Sequence, residues 1–417
     1  MIKMKFKSTA ALMAIFALFG LAQACGEYRV LFLESEGLTA TECGYVLAAG
    51  GLLAALARPL TGALADKLHS RRIVYVGSVI SWIALLLLLL ITKHARIATF
   101  VLSAGIIPLL SVSDQVTYGM LEASGVNATV MNPKLDFSLI RVCLSIGYCG
   151  INFLYTPIVK RFGPMAPFAC TLVFVVVLLL SSGCLSHFET VEESEPQQGR
   201  GKRLEVGRLF QNYYLVVFVL LSLIMSLGTQ TSSYVVFLIE ALDMDTALVG
   251  LAAGIRVLGE ILVMLMVPLL KRRISLPMLQ VVAGLFCILQ MIVFLTCKNP
   301  YMIMASIALS GVAYAITLST TAVYLRAMAP EGLDTTTLSL TTATSSLSMV
   351  LMSILGGRII DLYGIFALYR MTLGLLCLWI ILYFSTWAFG VHVLKKTPPV
   401  SMFLRRHCEQ CGKRSVR

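Results

Sequence analysis

The sequence is poor in charged residues. They make up 13% of its 417 residues, whereas soluble domains average about 25%. Hydrophobic residues account for 58% of the chain, and a soluble fold has too little interior to bury that much apolar surface. The composition therefore excludes an ordinary soluble domain and indicates a membrane protein.

Motifs for covalent or metal chemistry are also lacking. The eleven cysteines are an odd number and lie mostly in apolar stretches, so they predict no disulfide framework. His407, Cys408 and Cys411 offer three zinc-type ligands without an evident fourth, and a basic tail is the favoured interpretation of this segment. We find no phosphate-binding glycine-rich loop, zinc-protease motif or convincing nucleophile. The sequence predicts no enzyme, no cofactor and no metal.

Apolar residues occur in runs of about 20, the length of helix that crosses about 30 Å of hydrocarbon. The period-two alternation of barrel strands is not seen. We predict an all-α membrane protein with twelve transmembrane helices. The spans lie at about residues 9–33, 43–64, 73–91, 97–121, 136–158, 166–186, 212–239, 247–270, 276–296, 301–325, 335–357 and 366–390.

A polar segment between the sixth and seventh spans divides the chain. Its glutamates are followed by Arg200, Lys202 and Arg203, which is typical of a solvated linker. We predict an N-terminal six-helix bundle (residues 1–186), a cytoplasmic linker (187–211), a C-terminal six-helix bundle (212–390) and a basic cytoplasmic tail (391–417). The basic N-terminus is interpreted as the start of the first span, because apolarity continues through Leu33 beyond the length of a signal peptide core.

The cations predict the orientation, since Lys and Arg in short loops are kept on the cytoplasmic side. With both termini inside, 22 of the 33 Lys and Arg residues fall in predicted cytoplasmic segments and six in external loops. The net charge of +12 therefore reflects topology and does not predict a nucleic-acid partner. We expect a multi-pass protein of the plasma (inner) membrane with both termini cytoplasmic.

The two halves carry an internal repeat. The stretch YRVLFLE at Tyr28 is echoed by YVVFLIE at Tyr234, and the later glycines Gly44 and Gly250 are also 206 residues apart. Pro59-Leu60 is likewise echoed by Pro268-Leu269 at an offset of 209. These matches predict two six-helix pseudo-repeats, with a binding site between them near mid-membrane.

Five arginines lie inside predicted spans, namely Arg29, Arg58, Arg141, Arg256 and Arg370. An arginine at the helix centre costs about 2.5 to 3.5 kcal/mol, so it needs a polar cavity or a partner. Candidate partners are Glu27, Asp114, Asp136 and Glu260. We favour a cavity position for Arg141 and Arg256. For the other three we favour positions near span ends, from which the side chains reach the headgroups.

The loop between spans two and three carries a family signature. Residues 62–72 read GALADKLHSRR, which resembles the G-x-L-a-D-R/K-x-G-R/K-R/K loop of the major facilitator superfamily. His69 stands where the family has a glycine, so we expect a different turn. The resemblance implies the major facilitator fold and a cytoplasmic gating loop formed by Gly62, Asp66, Lys67, Arg71 and Arg72. The alternative is a plain positive-inside loop.

Other segments resemble the group that contains lactose permease, nucleoside proton symporters and phenylpropionate permeases. They extend over about 300 residues. The similarity of any one segment is not specific, but the order of the segments along the chain matches the family. The segments are Ile107 to Asp114, Arg141 to Gly147 (with Cys143 and Leu144 departing from the pattern), Gly259 to Ile261, Ala329 to Glu331, and Gly356 to Asp361.

A proton-coupled carrier needs a carboxylate that is neutral in one state and charged in another. Glu260 is the first candidate, because Arg256 lies one helical turn earlier on nearly the same face and Arg141 could compete for the carboxylate. Asp114 and Glu27 are the second candidates. A fixed structural ion pair is the alternative for all three carboxylates.

Solute contacts are predicted at Tyr28, Gln230, Tyr234, Tyr314 and Tyr324, although aromatic residues in apolar helices more often serve packing. The leading function is a secondary active transporter that moves a small polar or anionic organic solute by alternating access, as a proton-coupled symporter. The alternatives are a proton-independent uniporter or efflux carrier, and a non-transporting sensor or scaffold. The expected partners are the solute, the proton and the lipid bilayer, and we expect a monomer.

Overall fold

The computed structural model describes residues 2–94, 99–131, 137–183, 211–328 and 334–395. Within these ranges the backbone is almost entirely helical and contains no strand. The α-helices are α1 (Ile2–Gln23), α2 (Arg29–Ser35), α3 (Ala40–Lys67), α4 (Arg71–His94), α5 (Thr99–Met131), α6 (Phe137–Phe162), α7 (Ala166–Ser181), α8 (Tyr213–Thr229), α9 (Val235–Ala241), α10 (Val249–Arg273), α11 (Leu276–Thr296), α12 (Pro300–Ser306), α13 (Ala308–Met328), α14 (Asp334–Tyr363) and α15 (Ile365–Ala388).

The predicted all-α fold with twelve spans is confirmed. Ten stretches of the described residues are long and apolar enough to cross a membrane. A shorter apolar helix at Ala166–Ser181 and the 33-residue helix Thr99–Met131 account for the other two predicted spans. Several helices extend beyond the predicted apolar runs. The predicted linker and tail lie mostly outside the described residues, so the domain boundaries stay a prediction.

The first and seventh spans are broken at equivalent places. A 3-10 segment at Ala24–Tyr28 separates α1 from α2, and a 3-10 segment at Gln230–Tyr234 separates α8 from α9. The two segments start and end 206 residues apart, which is the offset of the sequence repeat. Both segments are polar for a membrane span, and irregular backbone at membrane depth is tolerated where protein buries it or where it lines a cavity.

The chain forms two compact units. The first unit comprises residues 1–201, 230–257 and 349–368, and the second comprises residues 202–229, 258–348 and 369–417. In the first unit α1 packs on α6 and α7, and α5 packs on α3 and α4. Gly20 faces the backbone of Leu144 and Gly147 faces that of Ala17, so α1 and α6 approach closely because neither contact has room for a side chain.

In the second unit α11 packs on α13. An aromatic cluster stabilises this unit at one place, where the rings of Phe218 and Tyr324 meet edge to face with centroids 5.0 Å apart. Gly284 of α11 faces the ring of Trp379, which fills the space that a side chain would otherwise take.

Candidate functional site

A first ion pair joins the broken part of span one to helix α10. Arg256 Nη2 donates to Glu27 Oε1 at 2.6 Å, and the hydroxyl of Tyr148 on α6 donates to the same carboxylate oxygen. Arg256 Nη2 also lies 3.4 Å from the Tyr148 hydroxyl. The side chains of Arg256 and Glu27 are 25% and 22% exposed, so solvent reaches this pair in part.

Small residues allow α6 and α10 to approach closely around this pair. A Cβ at Gly250 would overlap the Tyr28 hydroxyl and the Asn152 carbonyl oxygen, and one at Gly254 would lie 2.9 Å from the ring of Phe153. The thiol of Cys149 also donates to the Gly254 carbonyl oxygen at 3.5 Å. The glycine face of α10 therefore brings Arg256 to Glu27.

A second ion pair lies deeper in the same compact unit. Arg29 of α2 donates from Nη2 to Asp114 Oδ2 at 3.2 Å and from Nη1 to Ser111 Oγ at 2.9 Å, both on α5. The two charged side chains are only 12% and 4% exposed. Arg58 is hydrogen-bonded to Gln115 one residue further along α5. Arg29 therefore pairs in the interior, whereas we had favoured a headgroup position.

The buried pair is not fully satisfied. Asp114 Oδ1 and Arg29 Nε are both buried and make no hydrogen bond within the described residues. A buried ion pair is compensated only while both partners stay in place. Removing one charge therefore leaves the other buried without compensation, which destabilises the fold.

Arg141 and Arg370 have different surroundings. Arg141 lies over the ring of Tyr118 with its guanidinium carbon 5.8 Å from the ring centroid, and it donates a hydrogen bond to the Tyr118 hydroxyl. The ring of Tyr118 in turn stacks on Phe19. Arg141 is thus held by cation–π and hydrogen-bond contacts in the first unit. Arg370 is exposed, as a headgroup-facing arginine would be.

Glu260, the first candidate for proton coupling, is buried with 7% exposure. It lies one turn after Arg256 on α10, and Gly259 beside it would overlap the backbone of Ala308 if it carried a Cβ. The short Gly-Glu element therefore places a carboxylate at the close crossing of α10 and α13. Whether Glu260 serves as the coupling group stays a prediction.

The predicted solute contacts lie in three kinds of surroundings. Tyr28, Tyr234 and Tyr324 are almost fully buried, and Tyr28 meets Tyr155 edge to face at 5.4 Å. Gln230 is half-buried in a 3-10 segment, and Tyr314 is 43% exposed. The buried rings belong to packed clusters in this conformation, so Gln230 and Tyr314 are the more accessible members of the set.

The predicted gating loop forms a tight connection between α3 and α4. His69 has a φ of 51°, and its N–H donates to the Asp66 carbonyl oxygen at 3.2 Å. This is the left-handed conformation that glycine adopts most easily after a helix end. His69 thus adopts a conformation that glycine favours, and the expected change of turn relative to the family stays a prediction. Lys67, Arg71 and Arg72 flank the turn at the ends of the two helices.

Sequence reasoning did not single out Tyr148, Ser111 or Gln115. Tyr148 lies seven residues after Arg141 on α6, which places both on one helix face. Ser111 lies three residues before Asp114, at helical spacing, and Gln115 directly follows Asp114. Those spacings were the available signals. Polar residues are too abundant in these spans for spacing alone to select them.

Apolar spanning helices that enclose ion pairs define a multi-pass membrane protein. The family model for the MFS_1-like family matches residues 10–371. The chain belongs to that family, within the major facilitator transporters.

Solved transporters share the fold. The structure is similar to nucleoside transporter NupG, with a TM-score of 0.70 at 19% identity over 92% of this chain and 98% of that one. It is also similar to peptide transporter POT in complex with alafosfalin (TM-score 0.71, 13% identity, 91% and 94% covered), and to a D-xylose-proton symporter (TM-score 0.68, 13% identity, 92% and 97% covered). Among proteins with curated descriptions, none has significant sequence similarity to the chain.

Proposed function

We propose that this chain is a proton-coupled symporter that carries a small polar or anionic organic solute by alternating access. One observation carries the proposal. The described spans hold two arginine–carboxylate pairs in contrasting surroundings, Arg29–Asp114 in the interior and Arg256–Glu27 partly open to solvent. A symporter needs charged groups with two different roles, because one group must accept the proton while another binds the solute.

The accessible pair is the proposed solute site. Glu27 belongs to the first sequence repeat and Arg256 to the second, so their ion pair opens when the repeats separate during transport. The guanidinium then binds anionic or hydroxyl groups of the solute, and the carboxylate accepts hydrogen bonds from it. The Tyr148 hydroxyl, which already contacts both charges, adds a donor that suits hydroxyl-bearing and carboxylate solutes.

The buried pair is the proposed proton site. A carboxylate in a low-dielectric interior stays charged only while a cation lies beside it, and Arg29 is the cation beside Asp114. Protonation of Asp114 would weaken its bond with Arg29 Nη2 and free that nitrogen for water, while Arg29 Nη1 keeps its bond to Ser111. Glu260 is kept as the second candidate carboxylate, since it is also buried in a span.

Orientation and assembly are part of the proposal. The distribution of Lys and Arg supports a plasma (inner) membrane location with both termini in the cytoplasm, and we propose that the monomer is the transporting unit. Fluorescent-protein fusions at the two termini, with an impermeant quencher added to intact cells, test the orientation. A fusion quenched from outside would contradict it.

Transport into proteoliposomes tests the function. Uptake of uridine, D-xylose and 3-phenylpropionate is measured with and without an inward proton gradient, at clamped membrane potential. We expect gradient-driven accumulation of one solute class by the parent protein. Asp114→Asn should lose accumulation and keep solute exchange, and Glu27→Gln should lose both. Glu42→Gln is the matched control, because within the described residues Glu42 bonds only in its own helix cap, and it should transport normally.

The same measurements separate the alternatives. Uptake that does not respond to the gradient would instead indicate a uniporter or an efflux carrier. If every variant behaved like the parent and no solute stabilised the purified protein against heat, the sensor or scaffold interpretation would be favoured.

A further inference from the structure

Helix α3 begins with four backbone N–H groups that the helix itself leaves without partners. Two of them are bonded locally. The N–H of Glu42 donates to Thr39 Oγ1 at 3.3 Å, and the N–H of Thr39 donates to Glu42 Oε2 at 2.9 Å. This reciprocal arrangement is a capping box, and it satisfies only half of the first turn.

The other two N–H groups are bonded by a carboxylate from the far end of the chain. The N–H of Ala40 donates to Asp361 Oδ1 at 3.0 Å, and the N–H of Thr41 donates to Asp361 Oδ2 at 2.8 Å. Asp361 lies near the end of α14, 320 residues after Thr41. Its negative charge also lies at the positive end of the α3 dipole. The N-terminus of α3 is therefore fully capped only when α14 is in contact with it.

The contact requires close packing of the two backbones. Gly357 lies one helical turn before Asp361, and a Cβ there would overlap the Ala40 carbonyl oxygen. Arg358 Nη2 donates to the Tyr45 hydroxyl at 2.7 Å beside it. All of these residues belong to the first compact unit. The helices α3 and α14, however, come from different halves of the sequence repeat.

We propose that Asp361 is a latch that holds one end of the transporter closed, by completing the N-terminal cap of α3 from the opposite repeat. When the repeats separate, water takes over the N–H groups of Ala40 and Thr41. When they close, Ala40 is left only 2% exposed, and its N–H would lose its water partner without replacement. Asp361 supplies that replacement, so closure leaves no buried N–H group without a hydrogen bond at this turn. The predicted topology places this end outside the cell, and we call it the outer end.

The carboxylate at the opposite end of α3 is in a different state. Asp66 is exposed, and its side chain makes no hydrogen bond or ion pair within the described residues. A Cβ at Gly62 would likewise meet nothing within 4 Å. In this conformation, therefore, Asp361 is bonded at the N-terminal end of α3, and Asp66 is not bonded at the other end within the described ranges. The latch depends on alternating access in this family and not on proton coupling, so its test is independent of the coupling ion.

A native cysteine reports on the latch. Cys43 lies in the first turns of α3 and is fully buried, so a membrane-impermeant thiol reagent reaches it only when the outer end opens. Labelling of Cys43 is measured in proteoliposomes by peptide mass spectrometry, with no solute present. We expect Asp361→Ala to raise the labelling rate about tenfold, as the loss of an Asp helix cap implies. Cys297, in the second compact unit, is the internal reference and should label at an unchanged rate.

The matched control separates an inter-repeat latch from local fraying of α3. Glu42→Ala removes the side chain that accepts from the N–H of Thr39, which breaks the capping box of the same turn and leaves Asp361 in place. Cys43 should then label at nearly the parent rate. Asp361→Asn keeps the shape and one acceptor, and it should give an intermediate rate even if Asp361→Ala fails to fold. The proposal is wrong if the Asp361 variant that folds labels like the parent, or if Glu42→Ala raises labelling to the same extent.

Discussion

The hydroxyl of Tyr28 lies against Gly250, and the equivalent hydroxyl of Tyr234 lies against Gly44. The two tyrosines are 206 residues apart in the sequence, and so are the two glycines. The tyrosine of each repeat thus contacts the glycine of the other repeat, within one compact unit. A two-fold relationship between the repeats produces such a reciprocal contact, which explains why these four positions share one spacing.

We expect Gly250→Val to prevent closure at this contact. A side chain there would overlap the Tyr28 hydroxyl and the carbonyl oxygen of Asn152, and a backbone atom cannot move aside as the end of a flexible side chain can. Cys149 lies beside Gly254 in the same interface and is 5% exposed. Its labelling by an impermeant thiol reagent should become several times faster in the variant.

Gly374→Val is the matched control for this substitution. Gly374 is also a helical glycine, but a Cβ there would meet nothing within 4 Å. Its replacement should leave the labelling of Cys149 unchanged. Equal labelling of Cys149 in the parent and in Gly250→Val would contradict the steric argument.

The sequence indicated these four positions but not the contacts between them. It identified the tyrosine and glycine positions and the twelve spans, because apolar length and a fixed offset are properties of the chain alone. It named Glu27 and Asp114 among the candidate partners of the arginines, but it did not assign each carboxylate to its arginine. Helical spacing places Glu260 within reach of Arg256, and that pairing stays a prediction. The structure shows Arg256 donating to Glu27, 229 residues away. Helical spacing describes neighbours within one helix, and contacts between helices depend on packing that spacing does not encode.

The Arg29–Asp114 pair should show strong coupling in stability. Replacing either residue alone leaves the other charge buried and uncompensated, and this costs about 3 to 5 kcal/mol. We therefore expect Arg29→Leu and Asp114→Leu each to lower the free energy of unfolding by that amount. The double variant should lose clearly less than the sum of the two. Unfolding in a series of detergent mixtures, arranged as a double-mutant cycle, measures the coupling.

The exposed pair provides the comparison. Arg256 and Glu27 are each about a quarter exposed, so water screens them and their coupling should be smaller. Coupling of equal size in the two pairs would show that burial does not distinguish them. The division of roles between the pairs would then lose its physical basis.

Asp245 predicts a pH dependence at the loop between α9 and α10. The N–H of Ala247 and the ammonium group of Lys160, 3.1 Å away, lower the pKa of Asp245 below its ordinary value of 3.8. A lowered pKa in the folded state means that the carboxylate stabilises the fold above the ordinary value, and that this stabilisation is lost as the pH falls through the lowered pKa. Both charges are about half exposed, so the effect should be small, about 0.5 kcal/mol.

Asp245→Asn should therefore destabilise the protein slightly at pH 7, and the difference from the parent should shrink as the pH falls below about 4. Lys160→Gln should cost less at pH 7, because the backbone N–H of Ala247 is the larger cause of the shift. Unfolding midpoints of the parent and of both variants, measured at pH 7 and below about pH 4, test both effects. A difference between parent and Asp245→Asn that grows in acid would contradict this account.

His69 predicts a stabilising substitution in the gating loop. Its φ of 51° costs a residue with a Cβ about 1 kcal/mol relative to glycine, and the side chain is exposed, so little packing is lost by removing it. We expect His69→Gly to raise the free energy of unfolding by about 0.5 to 1 kcal/mol, the gain being reduced by the greater freedom of glycine in the unfolded chain. His69→Ala keeps the strained backbone and should give no gain. If alanine stabilised the protein as much as glycine, the strain would come from the imidazole and not from the left-handed backbone conformation.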